Sequence, residues 1–262
     1  MNDTDQLNLM LNALAEIMEE EKGKKVSPPT PPAQALPDLG RVLAGISPLP
    51  HEAIFLGMAN DGLPVLLNLY DPVPGPILIA GDSSSGKTRL LKTIARGTDI
   101  LHSPSSVQYG IISSNPDEWK DLYGSENNAG IYHSNEENAV ELLQSLVTWA
   151  HNNKGEGQCI LLFIDDLGSI TSLNDQAKQN LRWLLLRGPS RHVWTFATIN
   201  ANRVKDQLEW LEFFRTRLFG VVEDAEMAKM LTGNSLLNHL APGEYAMREG
   251  DQLLKFWLPS IE

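Results

Sequence analysis

The chain has 262 residues, 42% of them hydrophobic and 21% charged, and its 33 acidic against 21 basic side chains give a net charge of −12. That length supports one large domain with its own core plus an appendage. The single cysteine, Cys159, excludes a disulfide framework and a multi-thiolate zinc site, and the acidic balance opposes general nucleic-acid coating, which needs clustered Lys and Arg. No apolar run reaches the roughly 18 residues of a membrane span, so a soluble, cytoplasmic chain with no membrane partner is expected.

Residues 4–22 place Leu7, Met10, Leu11, Leu14, Ile17 and Met18 on one helical face. Asp3 or Thr4 can cap this helix and Gly23 can end it. An isolated helix of that length is marginal in water, so it needs a docking surface on its own body, a second copy or a partner. Prolines 28, 29, 31, 32 and 37 make residues 24–38 an extended, semi-rigid tether. The expected organisation is therefore an amphipathic helix over 1–23, a linker over 24–38 and a domain over 39–262.

That domain alternates short apolar strands with helical patterns. Strands are expected at 53–56, 64–69, 77–80, 107–113, 159–164, 193–199, 217–222, 244–247 and 253–257. Helices are expected at 87–96, 136–151, 175–187, 204–214 and 225–231. The alternation predicts an α/β fold with a mostly parallel central sheet covered on both faces.

The strongest motif is Gly81-Asp82-Ser83-Ser84-Ser85-Gly86-Lys87-Thr88, which follows the apolar strand Ile77–Ala80 and opens a helix through Arg89. It matches G-x-x-x-x-G-K-[ST] in the strand–loop–helix context that the motif requires. Successive backbone N–H groups at a helix N-terminus cradle phosphate. Lys87 supplies a point charge for the β- and γ-phosphates, and the Thr88 hydroxyl is a Mg²⁺ ligand. Nucleotide binding through residues 81–89 is the expectation, with ATP and Mg²⁺ as cofactors.

A second motif is the buried run Cys159–Ile164 ending in Asp165-Asp166. Buried carboxylates are costly unless paired or bound to a cation. Asp165 is the candidate Mg²⁺ carboxylate, and Asp166 stands where a general base would orient water. The strand at 193–199 offers Thr198 and Asn200 as polar groups for the γ-phosphate or the water, although Asn200 is equally suited to capping the next helix.

In this order the motifs resemble the FtsK/HerA family of hexameric P-loop motor ATPases. The resemblance runs from about residue 50 to 258. It includes Phe55-Leu56-Gly57 with Gly62-Leu63-Pro64-Val65, the strand Ile111–Pro116, Val193–Thr198, Thr216-Arg217-Leu218 and the turn Ala241-Pro242-Gly243-Glu244-Tyr245. It implies a three-layer RecA-like core, ATP hydrolysis, assembly into a homo-oligomeric ring or with a partner ATPase, and a trans-acting arginine, with Arg215 and Arg217 as candidates. Several positions depart from the family pattern. Asp166 stands for the usual Glu, Ile199 stands for the usual Gln, and the Lys of the second core strand is missing.

The resemblance implies a DNA translocase, with polypeptide as the other cargo. A nucleotide-binding scaffold or switch with weak hydrolysis is the alternative, favoured by Asp166, Ile199 and the acidic charge. A phosphotransferase is a third reading; it would usually carry an Arg-rich lid, for which Arg187 to Arg191 is a thin candidate. The segments expected to line a pore, 113–130 and 167–178, carry Lys120 and Lys178 against Asp117, Glu118, Asp121, Glu126 and Asp175. Nucleic acid as a partner thus rests on the resemblance and finds no support in the charge.

Overall fold

Successive side chains of a strand point to opposite faces, so a strand that is apolar at every position must be covered on both sides. The strand β3 (Ile77–Gly81) shows this. Ile77 and Ile79 enter one core and Leu78 and Ala80 the other, all fully buried. The computed structural model describes residues 36–153, 157–233, 237–241, 243–249 and 252–261. The expected helix over 4–22, and the linker up to residue 35, lie outside them.

Ahead of β3 come helix α1 (Leu39–Ile46) and the hairpin β1 (Ala53–Ala59) and β2 (Pro64–Asn68). After it come α2 (Lys87–Leu101), β4 (Val107–Ser113), β5 (Asn128–His133), α3 (Glu137–Asn152) and β6 (Cys159–Asp165). The short α4 (Leu167–Thr171), α5 (Asp175–Arg187), β7 (Val193–Asn200), α6 (Leu208–Leu211), β8 (Thr216–Phe219) and α7 (Ala225–Thr232) follow. The described elements close with β9 (Glu244–Glu249) and β10 (Gln252–Trp257).

The ten strands among the described residues form one sheet in the order β2-β1-β10-β9-β8-β3-β7-β6-β4-β5. The block from β8 to β5 is parallel, and β9, β10, β1 and β2 extend it antiparallel. Helix α2 covers one face through Leu90, Leu91 and Ile94. Helices α3 and α5 cover the other through Leu143, Leu146, Leu181 and Leu184. This is the expected three-layer α/β architecture, and residues from Pro37 onward belong to one compact unit. No described helix is long and apolar enough to cross a membrane.

Besides the short α4 and two 3₁₀ turns at Pro116–Leu122 and Pro189–Arg191, which were not expected, three larger elements differ from the sequence expectation. Strand β5 was not expected: it lies at the sheet edge, and most of its residues are only half-buried, so it lacks an apolar signature. Helix α1 was not expected either; Asp38 caps it by accepting the Arg41 N–H at 3.2 Å, and Leu39 and Leu43 pack on Phe55 and Met58. The helix expected at 204–214 is instead a 3₁₀ segment, Ala201–Gln207, followed by one α turn. The buried residues Ala201, Val204, Gln207 and Trp210 recur every three positions, which is the 3₁₀ period.

Parallel register places the functional candidates. Gly81 pairs with Asn200, and Ser113 pairs with Asp165, so β3, β7, β4 and β6 end together at one edge. The carboxyl edge of an open parallel sheet is where such folds bind ligands.

Candidate nucleotide site

The loop leaving β3 turns at Ser84 (φ 64°) and Gly86 (φ 88°) before α2 begins. A Cβ on Gly86 would lie 2.4 Å from the Tyr245 hydroxyl, so both the backbone conformation and the space demand glycine there. No side chain caps α2, which leaves the N–H groups of its first turn available to a ligand. The Tyr245 hydroxyl, reaching in from β9, donates to the Gly86 carbonyl at 2.6 Å and approaches the Ser85 carbonyl at 3.3 Å. Asp82 accepts the Glu223 N–H at 2.8 Å, tying the loop to the segment after β8.

Lys87 curls back over the loop. Its Nζ donates to the carbonyls of Asp82 at 2.6 Å and Gly81 at 3.1 Å and lies 3.5 Å from Ser85 Oγ. Burial lowers its pKa, and the carboxylates of Asp165, Asp82 and Asp166 act against that shift. Thr88 Oγ1 donates to the Asp165 carboxylate at 2.9 Å. Thr198 Oγ1 donates to Asp165 Oδ1 at 3.0 Å and accepts the Asp166 N–H at 2.8 Å. Burial raises the Asp165 pKa; the two hydroxyls and Lys87 oppose this, and Glu118 adds to it.

These groups line a cleft of about 450 Å³ that also includes Ser83, Ser84, Asn200 and Glu118. A second cavity of about 750 Å³ shares Ser83, Ser84 and Gly86 with this cleft and is lined also by Asp82, Ser85, Arg89, Asn202, Glu223 and Tyr245. The loop amides, Lys87 and the glycine cradle fit a nucleotide phosphate chain. The hydroxyl of Thr88 and the carboxylate of Asp165 form a hard-oxygen pair that fits Mg²⁺.

The structure therefore gathers Gly81 through Arg89, Asp165, Asp166, Thr198 and Asn200 at one edge of the sheet. Arg89 lies at its margin, donating to the Pro259 carbonyl at 3.2 Å. Asp166 is held in place: its φ is 89°, its Oδ1 accepts the Gly168 N–H at 3.1 Å, and its Oδ2 pairs with Arg203 Nη1 at 3.0 Å. Gly168 permits this pairing, because a Cβ there would lie 2.9 Å from the Arg203 guanidinium carbon.

Arg217 does not join the site. Its nitrogens donate to the carbonyls of Leu211 at 2.8 Å, Leu231 at 3.1 Å and Phe214 at 3.3 Å. In this conformation the guanidinium satisfies carbonyls of its own chain. Arg215 is exposed beside Gly75.

Sequence reasoning missed Glu118, Arg203 and the loop contact of Tyr245. Tyr245 lay within a recognised turn. Arg203 had no local signal, and Glu118 appeared only as one acid among several.

No protein-family model and no curated protein sequence matches the chain. Solved structures do. EccC (ATPases 2 and 3) from Thermomonospora curvata, in complex with a signal sequence peptide, matches over 87% of this chain and 43% of its own, at 17% identity and TM-score 0.69. EssC (ATPases 2 and 3) from Geobacillus thermodenitrificans matches over 88% and 48%, at 15% identity and TM-score 0.71. The pCW3 conjugation coupling protein TcpA, with ATPγS, matches over 87% and 70%, at 15% identity and TM-score 0.68. The matched part of EccC and of EssC is less than half of each of those chains. At these identities the likeness concerns the fold alone, which residues from Pro37 onward share with these ATPase structures.

Proposed function

We propose that this chain binds ATP with Mg²⁺ on residues 81–89 and hydrolyses it as a subunit of an ATPase assembly that moves a polymer, nucleic acid first. The observation that carries this reading is the hydrogen-bonded set Thr88–Asp165–Thr198 standing beside Lys87 at the sheet edge. Thr88 and Asp165 would hold the metal, which when bound neutralises charge on the β- and γ-phosphates. Lys87 exchanges its loop carbonyls for phosphate oxygens, and Asn200 faces the same cleft.

The likeness to a conjugation coupling protein supports nucleic acid as cargo. The likeness to EccC carrying a signal sequence peptide supports polypeptide as the other cargo. In a ring, Arg215 is the candidate for completing a neighbour's site, since Arg217 is engaged within its own chain. A second reading, a nucleotide-controlled switch with slow hydrolysis, is favoured by the pairing of Asp166 with Arg203.

The test is ATP binding and turnover, with and without DNA, on protein of known mass in solution, beside Lys87→Ala. Wild type is expected to bind ATP, and the variant to lose about 10- to 100-fold in affinity. Turnover raised by DNA supports the motor, whereas tight binding without turnover supports the switch. Equal ATP affinity in both proteins refutes the site.

A further inference from the structure

The cleft contains a carboxylate that neither linear motif includes. Glu118 lies in the 3₁₀ turn Pro116–Leu122, which follows β4, and it lines the cleft together with Lys87, Thr88, Asp165 and Asn200. The register of Ser113 with Asp165 brings this turn over the same sheet edge.

The turn is anchored from below and from the side. Trp119 and Leu122 are fully buried within it. Lys92 donates to the Glu118 carbonyl and pairs with Asp121 at 2.9 Å, and Arg96 pairs with Asp121 at 3.2 Å. Both cations lie on α2, the helix that opens at the phosphate loop, so one element positions Lys87, Thr88 and the Glu118 turn. Asn115 Nδ2 holds Glu118 Oε1 at 2.8 Å, and Oε2 makes no hydrogen bond among the described residues.

Asp166 is placed differently. Its Oδ1 accepts the Gly168 N–H and its Oδ2 pairs with Arg203. It is also one methylene shorter than Glu. We propose that Glu118, and not Asp166, orients the attacking water, while Asp166 is a positioning residue that caps α4 and holds Arg203. This rests on the hydrolysis reading above. The water oxygen bonds to the γ-phosphorus as the bond to the β–γ bridging oxygen breaks, and that electron pair leaves with ADP. The water proton passes to the Glu118 carboxylate.

The test compares ATP turnover and Mg-ATP-analogue binding in the full chain for wild type, Glu118→Gln, Glu118→Asp and Asp166→Asn, with thermal unfolding of each. Glu118→Gln is expected to lower kcat by about 100-fold or more, with KM, analogue affinity and unfolding temperature near wild type. Glu118→Asp is expected to recover part of the rate, and Asp166→Asn to stay within about tenfold of wild type, since it removes no reacting group. Wild-type protein that binds the analogue but does not turn over ATP overturns the hydrolysis reading and this assignment with it. Wild-type turnover that persists in Glu118→Gln, or that is lost in Asp166→Asn alone, overturns this assignment and leaves the hydrolysis reading standing.

Discussion

Tyr245→Phe removes one oxygen from behind the loop that leads from β3 to α2 and little else. The ring is fully buried and stacks on Phe256 with centroids 5.6 Å apart, and phenylalanine keeps that packing. The lost hydroxyl is the donor to Gly86 at 2.6 Å, with Ser85 at 3.3 Å. Burial raises the Tyr245 pKa, so it is a neutral donor at every working pH. The Gly86 carbonyl still accepts the Leu90 N–H at 2.9 Å, so the loop is loosened and not stripped. A hydrogen bond of this kind contributes about 1 kcal/mol net. If the loop needs it to hold its phosphate-binding shape, nucleotide affinity falls by roughly fivefold.

Tyr109→Phe is the matched control. Its buried hydroxyl donates to the Asp99 carboxylate at 3.0 Å, away from the loop. Calorimetric titration with an ATP analogue and thermal unfolding should separate the two variants. Both are expected to lower Tm, and Tyr245→Phe alone is expected to weaken binding. Equal loss of Tm with unchanged affinity in both would show that Tyr245 merely fills the core.

Thr198→Val removes the hydroxyl that joins Asp165 Oδ1 at 3.0 Å to the Asp166 N–H at 2.8 Å. A loss of about 1–3 kcal/mol in stability is expected from the unpaired groups left behind, together with a weaker Mg²⁺ dependence of nucleotide binding. Denaturant unfolding and a Mg²⁺ titration check this, and wild-type behaviour in both would remove Thr198 from the site. Burial holds the imidazoles of His102 and His192 below the usual histidine range. Their contribution is therefore complete above the unfolded value of about 6.5 and is lost as pH falls through the folded values. Tm is expected to decline from about pH 6.5 downward, and less steeply in His102→Gln; an identical decline in the variant would exclude His102 as a source.

Where the candidate site is built from contiguous residues, its local structure was legible in the sequence. The strand Ile77–Gly81, the loop after it and the helix from Lys87 form one short-range unit with glycine at the position where φ is 88°. The run Cys159–Asp165 announced itself by being apolar at every position before its acid. The alternation of such strands with amphipathic helices sufficed for the three-layer class. Strand β5 and the turn holding Glu118 carried no comparable pattern, because an edge strand and a 3₁₀ turn bury too few residues to impose one.

The amino-acid sequence by itself determined the glycine-rich turn after β3, the acid that ends β6 and the alternating architecture, since each depends on neighbours a few residues apart. Only the tertiary structure decided which groups share the cleft. Arg203 meets Asp166 across 37 positions, Tyr245 meets Gly86 across 159, and Arg217 turns inward to carbonyls of its own chain. Those pairings follow from strand order and register, which place the ends of β3, β4, β6 and β7 on one edge. Long-range register is fixed by the packing of both sheet faces together, a property that no local stretch of sequence contains.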